Sequence, residues 1–285
     1  MKKKYNRVLT IAGSDSGGGA GIQADIKAIS AMGCYAASAI TAITVQNTLG
    51  VEAVHAVPLE ILAGQIDAVL SDIGADAIKI GMLHSAEVVN LVADKIEQYG
   101  IRNVVLDPVM VSTSGHRLIE ESAIAVIKSR LIPLVRVITP NIPEAEILAD
   151  CTISSEADFP SVAKILASRS NDTQEISPTD VSYSKNERQV SVLLKAGHLT
   201  GDDLVDYFFN AEDGTITQLS SKRVYTRNTH GTGCTLSSAF AAALARGEDL
   251  TAAATSAKKY IEGAIISGAE YEIGHGHGPV NHFWK

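Results

Sequence analysis

Short apolar runs alternate with stretches of helical periodicity along most of the chain. Val8 to Ala12 reads as a strand, followed by a glycine-rich loop from Gly13 to Gly21. A helix from about Ile22 to Met32 comes next, with Ile22, Ile26 and Ile29 at helical spacing. Tyr35 to Val45 is a β-branched and alanine-rich strand that ends in Gln46-Asn47-Thr48, and Leu59 to Ile73 is helical. The pattern repeats with a strand at Ala77 to Ile80, a helix at His84 to Tyr99, a strand at Val104 to Leu106 and a helix reaching about Arg130. Leu134 to Ile138 and Ser191 to Leu194 are further strands. Tyr207 to Phe209 and Ile216 to Val224 flank the turn signal Glu212-Asp213-Gly214 as antiparallel additions. Alanine-rich Ala239 to Arg246 and the stretch from Thr251 to roughly Ser267 close the chain as helices. Alternation of this kind predicts a single α/β domain over 1–285, with a mainly parallel sheet covered by helices on both faces and a small β flap. Residues 168–189 lack apolar periodicity and read as a polar surface excursion, not a domain boundary.

Polar groups recur where strands end. Asp15, Gln46, Asp107, Asn141 and Glu144 all follow apolar strands, so a parallel sheet brings them to one edge, with Lys195 at the end of another strand. Each taken alone is a cap or turn residue as readily as a ligand. Gln46-Asn47-Thr48 is either a turn or an amide placed to read a ligand's hydrogen-bonding edge. The loop Gly17-Gly18-Gly19-Ala20-Gly21 lacks the G-x-G-x-x-G spacing of dinucleotide sites.

The most pointed stretch is Asn228-Thr229-His230-Gly231-Thr232-Gly233-Cys234, which turns directly into a helix. A glycine turn opening a helix directs several backbone N–H groups one way, beside the positive end of the helix dipole, and so makes an anion site. Cys234 stands where turn becomes helix, an environment among those that lower a thiol pKa. The opposing reading is a tight connection with Cys234 as a small buried hydrophobe. No Gly-Lys-Ser or Gly-Lys-Thr is present, so this is not a Walker A loop.

Composition narrows the partners. Hydrophobic residues at 46% and charged residues at 20% fit a globular protein with a substantial core. A formal net charge of −8 argues against nucleic-acid and anionic-membrane partners. Cys34, Cys151 and Cys234 are odd in number and far apart, which argues against a disulfide framework. With neither a signal-peptide core nor a segment of transmembrane length, the expected location is cytoplasmic. The spacing of His275 and His277 matches no zinc pattern.

Together, Gly13-Ser14-Asp15, Gly18 to Asp25, Gln46-Asn47-Thr48, Lys79-Ile80-Gly81-Met82, Asp107-Pro108-Val109-Met110, Thr139 to Ala145, Lys195 to Leu199 and Asn228 to Cys234 resemble blocks of the bacterial hydroxymethylpyrimidine and phosphomethylpyrimidine kinases of thiamine synthesis. These are members of the ribokinase-like superfamily. The resemblance implies a three-layer α/β/α fold, a homodimer, and two successive phosphorylations of 4-amino-5-hydroxymethyl-2-methylpyrimidine by ATP with Mg2+. It implies that Gln46 reads the pyrimidine edge, with Asp25 as a second polar contact and with Met82 and Gly13 against the ring. Gly231 and Gly233 would supply the anion hole. Lys195, Asn141 and Thr229 would address the nucleotide, Asp107 and Glu144 would organise magnesium, and Cys234 would stand in the place of a base. Relatives often carry lysine at the position of Thr113 and glycine at that of Ala196, so phosphate contact from Ser112 to Gly115 is an open point. A pyridoxal kinase of the same superfamily is the nearest alternative, and a silent heterocycle-binding sensor the alternative from another class.

Overall fold

The computed structural model describes residues 3–110, 119–168 and 189–284. The Ser112 to Gly115 loop and nearly all of the 168–189 stretch lie outside the described residues. Nine strands form one sheet: β1 (Arg7–Ser14), β2 (Tyr35–Asn47), β3 (Gly50–Ala56), β4 (Ala77–Ile80), β5 (Val104–Leu106), β6 (Val137–Ile138), β7 (Ser191–Leu194), β8 (Asp203–Asn210) and β9 (Thr215–Lys222). Their spatial order is β3-β2-β1-β4-β5-β6-β7-β8-β9. The six from β2 to β7 in that order pair in parallel, while β3 at one edge and β8–β9 at the other are antiparallel.

Period-two alternation in the strands divides the interior into two cores. Leu9, Ile11, Ile78, Ile80, Val104, Leu106, Val192 and Leu194 face one side, where α2 (Leu59–Ala68), α3 (Ala86–Tyr99), α4 (Glu121–Val126), α5 (Ile142–Ala149) and α6 (Phe159–Ser168) pack. Val8, Ala77, Val105, Val137 and Leu193 face the other, against α1 (Gly21–Ala31), α7 (Thr232–Ala245) and α8 (Leu250–Gly268). This is the expected three-layer α/β/α sandwich. Among the described residues no helix is long and apolar enough to cross a membrane.

Two local expectations need correction. Gln46 and Asn47 do not follow a strand; they are its last residues, and the chain returns as β3, paired with Ala42 to Asn47. Every residue from Glu52 to Ala56 is exposed, so no buried face imposed the alternation that marks a strand in sequence. β6 is also shorter than the run from Leu134, because Ile132–Leu134, which includes Pro133, forms a 3₁₀ turn.

Beneath the sheet's C-terminal edge lies a buried charge cluster. Lys79 Nζ on β4 donates to both oxygens of Asp25 on α1, at 2.8 and 2.9 Å, and both side chains are 0% exposed. Thr10 Oγ1 on β1 and Ser238 Oγ on α7 donate to the same carboxylate at 2.5 and 2.8 Å. Burial works to discharge Lys79, but Asp25 overrides it and holds the ammonium above its ordinary pKa. Removing one member of such a pair leaves an uncompensated charge in the interior. Lys79→Met is expected to lower unfolding stability by about 3–5 kcal/mol, and Lys79→Met with Asp25→Leu to recover most of it. Urea midpoints decide this: a single variant within about 1 kcal/mol of wild type would show that the cluster carries no such weight.

Candidate active site

A cavity of about 670 Å³ opens at the C-terminal ends of the parallel strands. Gly13, Gln46, Met82, Asp107, Asn141, Glu144, Lys195, Thr229, Gly231, Gly233 and Cys234 all line it. Asp15, grouped with them at the sheet edge, lines it too. Asp25 does not. Its carboxylate is enclosed by Lys79, Thr10 and Ser238, so the geometry offers no direct contact between it and a ligand.

The turn into α7 is shaped by glycine. Gly231 has φ +76°, and a Cβ there would sit 1.9 Å from the carbonyl oxygen of Gly19. The helix begins at Thr232, and its first intrahelical bond is Thr235 N–H to the Gly231 carbonyl at 2.9 Å. Ahead of it Thr232 N–H makes a long bond of 3.4 Å to the Thr229 carbonyl, while the amides of Gly231, Gly233 and Cys234 precede the first helical bond at the cavity wall, where the helix dipole is positive. Gly233 runs close to charged groups: a Cβ there would meet Lys195 Nζ at 3.3 Å and Asp107 Oδ2 at 3.4 Å.

Lys195 sits between two carboxylates, 3.0 Å from Asp107 Oδ1 and 3.9 Å from Glu144 Oε2. Burial pushes Glu144 up to about 7, against the pull of Lys195 and with the push of Asp107. Burial likewise works against the charge on Lys195, yet Asp107 and Glu144 raise its pKa above the ordinary value. Glu144 and Asn141 also form the capping box of α5, Asn141 N–H to Glu144 Oε2 at 2.8 Å and Glu144 N–H to Asn141 Oδ1 at 2.9 Å. Cap and cavity wall are therefore the same residues. Among the described residues no group of three or more His, Cys, Asp or Glu could cage a metal. Two carboxylates at the mouth of an anion site do fit magnesium, which takes one or two protein oxygens and fills its shell with phosphate and water.

Cys234 lies where two helices begin, since its sulfur accepts the N–H of Gly21, the first residue of α1. The expected lowering of its pKa does not follow. Burial pushes the thiol up to about 11, with Lys79 pulling down and Asp25 and Asp107 adding to the rise. Desolvation of the thiolate outweighs both helix termini.

One group was not singled out from the sequence. His230 Nε2 lies 2.9 Å from Asp15 Oδ2 and 3.3 Å from a terminal atom of the Gln46 amide. The Asp15 carboxylate also takes the N–H groups of Gly17, Gly19 and Ala20 at 2.8, 3.0 and 2.8 Å. An aspartate two residues before a glycine signals such a turn, but nothing local pairs Asp15 with a histidine 215 positions away. On the nearer wall, a Cβ at Gly13 would strike Met82 Cε at 2.6 Å, so glycine makes room for the methionine. At the far end, Leu204, Val224, Ile261 and Ile265 form an apolar wall beside Lys222 and Arg223.

The sequence matches the model of a family described as phosphomethylpyrimidine kinase over residues 15–281. It is 46% identical to a hydroxymethylpyrimidine/phosphomethylpyrimidine kinase of Rhizobium meliloti over 280 residues, 97% of this chain and 98% of that one. It is also 46% identical, over 96% of its length, to the thiamine biosynthesis bifunctional protein ThiED of Geobacter sulfurreducens, and spans about half (52%) of that relative. The fold is similar to a crystal structure of Bacillus subtilis pyridoxal kinase in complex with ADP, with TM-score 0.84, 31% identity and 98% coverage of both chains. A match that begins at Asp15 and runs through Asn281 takes in Gln46, Asp107, Lys195 and Cys234 alike, and by it the chain belongs to the phosphomethylpyrimidine kinase family.

Proposed function

We propose that the protein transfers a phosphoryl group from ATP to the hydroxymethyl group of 4-amino-5-hydroxymethyl-2-methylpyrimidine, and then a second to the monophosphate, on the way to thiamine diphosphate. One observation carries the reading: the amides from Gly231 to Cys234 stand in the same cavity as Gln46 and Met82, with Lys195 and Asp107 beside them. Phosphoryl transfer needs positioning and neutralisation of charge more than covalent help. The α7 amides and Lys195 are fixed donors for the charge that develops on the transferred group. Asp107 and Glu144 would hold magnesium, which neutralises phosphate charge when bound. Asn141 and Thr229 lie on the nucleotide side, and the apolar wall of Val224 and Ile261 suits a purine base. Gln46 reads the heterocycle edge while Met82 and Gly13 shape the ring's seat.

Cys234 acts only in the first step, which removes a proton from an alcohol. In the second step the attacking phosphate oxygen is already ionised and needs no base. A thiol of pKa about 11 is largely protonated at neutral pH, but its small thiolate fraction is a strong base, and a positioned base contributes about 10²–10⁴-fold.

The fold likeness to pyridoxal kinase favours a second reading, phosphorylation of pyridoxal, and parallel assays on both compounds separate the two. A silent binding protein is disfavoured by the presence of Asp107, Glu144, Lys195 and Cys234 in one cavity. A homodimer is part of the same reading, supported by the exposed Ile43, Val45 and Val54 on the β2–β3 ribbon and the nearby Ile61.

Mass spectrometry of the product should find two phosphates on each pyrimidine. In Cys234→Ala the first step should fall by about 10²–10⁴-fold while the second stays within a few-fold. The wild-type first step should also rise with pH toward 11 as the thiolate fraction grows, a rise the variant lacks. Equal losses in both steps would assign Cys234 to packing. Asp107→Asn and Glu144→Gln should each raise the magnesium concentration needed for half-maximal rate, and unchanged titrations would remove them from the metal site. Light scattering should return twice the 30.0 kDa chain mass; a monomer would dismiss the ribbon as an interface.

A further inference from the structure

The carboxamide of Gln46 is held from two sides. One terminal atom lies 3.1 Å from Thr44 Oγ1, the other 3.3 Å from His230 Nε2. The oxygen and the NH2 of a carboxamide have nearly the same shape, so their partners decide which end is which.

Both partners give the same answer. Thr44 Oγ1 has a single hydrogen and lies 2.8 Å from the carbonyl oxygen of Ser14, which can only accept. Its hydrogen is therefore committed, and toward Gln46 the hydroxyl is an acceptor that requires the NH2. On the other side, Asp15 is an acceptor only. Burial alone would raise its pKa, but His230 and the amides of Ala20 and Gly17 hold it below the usual range. At 2.9 Å from that carboxylate, His230 Nε2 must carry the hydrogen and donate it. That one hydrogen points at Asp15, and a protonated Nε2 keeps no lone pair to accept from an NH2, so the Gln46 end beside it is the carbonyl oxygen.

The imidazole has little freedom to undo this. Its own backbone N–H donates to the Gly278 carbonyl at 3.0 Å, and its ring lies so close to Gly19 that a Cβ there would meet Cδ2 at 2.4 Å. Thr44 is 6% exposed.

We propose that Asp15, His230 and Thr44 lock the Gln46 carboxamide in one orientation, and that this lock selects a heterocycle carrying an amino group beside a ring nitrogen. The inference rests on the reading of Gln46 as the residue that faces the heterocycle edge. An amide whose two ends are assigned by their neighbours offers an acceptor and a donor in a set order. An amino group next to a ring nitrogen offers the complementary pair in one facing only. A free amide would turn over to suit other rings; a locked one cannot. His230 and Thr44 act through Gln46 and are positioning residues.

The test measures dissociation constants by calorimetry for 4-amino-5-hydroxymethyl-2-methylpyrimidine and for the same compound without its 4-amino group. Wild type should prefer the amino compound by at least about tenfold, because losing the group leaves buried polar atoms unpaired. Thr44→Val and His230→Leu should bring the ratio to within about threefold of unity. Thr44→Ser keeps the hydroxyl and His230→Gln keeps an N–H donor, and both should retain the preference. If Thr44→Val and His230→Leu weaken both compounds in proportion, with the ratio unchanged, the two residues only support the fold and the lock is refuted. A wild type that binds both compounds equally refutes it as well. A wild type that binds neither compound overturns the kinase reading along with it. The two positions are independent, so one variant that fails to fold leaves the other to decide.

Discussion

A lysine and an aspartate with no exposed surface join four elements under the site: β1 through Thr10, α1 through Asp25, β4 through Lys79 and α7 through Ser238. Burying such a pair is costly, and replacement by apolar side chains of similar volume is often neutral or better, so stability alone does not account for it. Its position is more telling. Ser238 is one helical turn beyond Cys234, and Asp25 one turn beyond Gly21, whose N–H reaches the Cys234 sulfur. A bond between Asp25 and Ser238 sets the axial register of α1 against α7, and with it the place where their N-termini meet. Hydrophobic packing would allow those helices to slide, whereas directional bonds to one carboxylate do not.

Around this fixed point the site balances its charges locally. The chain is acidic overall, yet the cavity sets Lys195 and two helix N-termini against Asp107 and Glu144. Glu144 is poised near neutrality because burial and Asp107 favour its acid form while Lys195 favours the carboxylate. A carboxyl so placed changes charge with a small change in its surroundings, such as the arrival of polyanionic phosphate or of a cation. Another part of the cavity wall is organised differently, by a chain of polar contacts through Asp15, His230, Gln46 and Thr44 that sets direction instead of charge.

Much of this was legible in the sequence, for identifiable reasons. Ala77–Ile80, Val104–Leu106 and Ser191–Leu194 are the strands that alternation and apolar content predict, because each is buried on both faces. The convergence of Asp15, Gln46, Asp107, Asn141 and Glu144 followed from a parallel sheet, which brings all strand C-termini to one edge. β3 escaped notice because solvent on both faces leaves no pattern to read. Asp25 and Cys234 were picked out, but their buried settings were not legible. A motif gives residue type and order, but a carboxylate's partners and a thiol's pKa depend on what folds over them, here Lys79 from 54 positions away and the burial that outweighs two helix termini. The role of His230 was hidden by sequence distance from Asp15 alone.

The contact between Gly231 and Gly19 has a mechanical meaning. With less than a methyl group's clearance between them, the loop after β1 and the loop before α7 have no gap into which either could retreat. They can part, or they can travel together, but neither can close on the other. Any movement of one loop toward the other must therefore push its neighbour ahead of it.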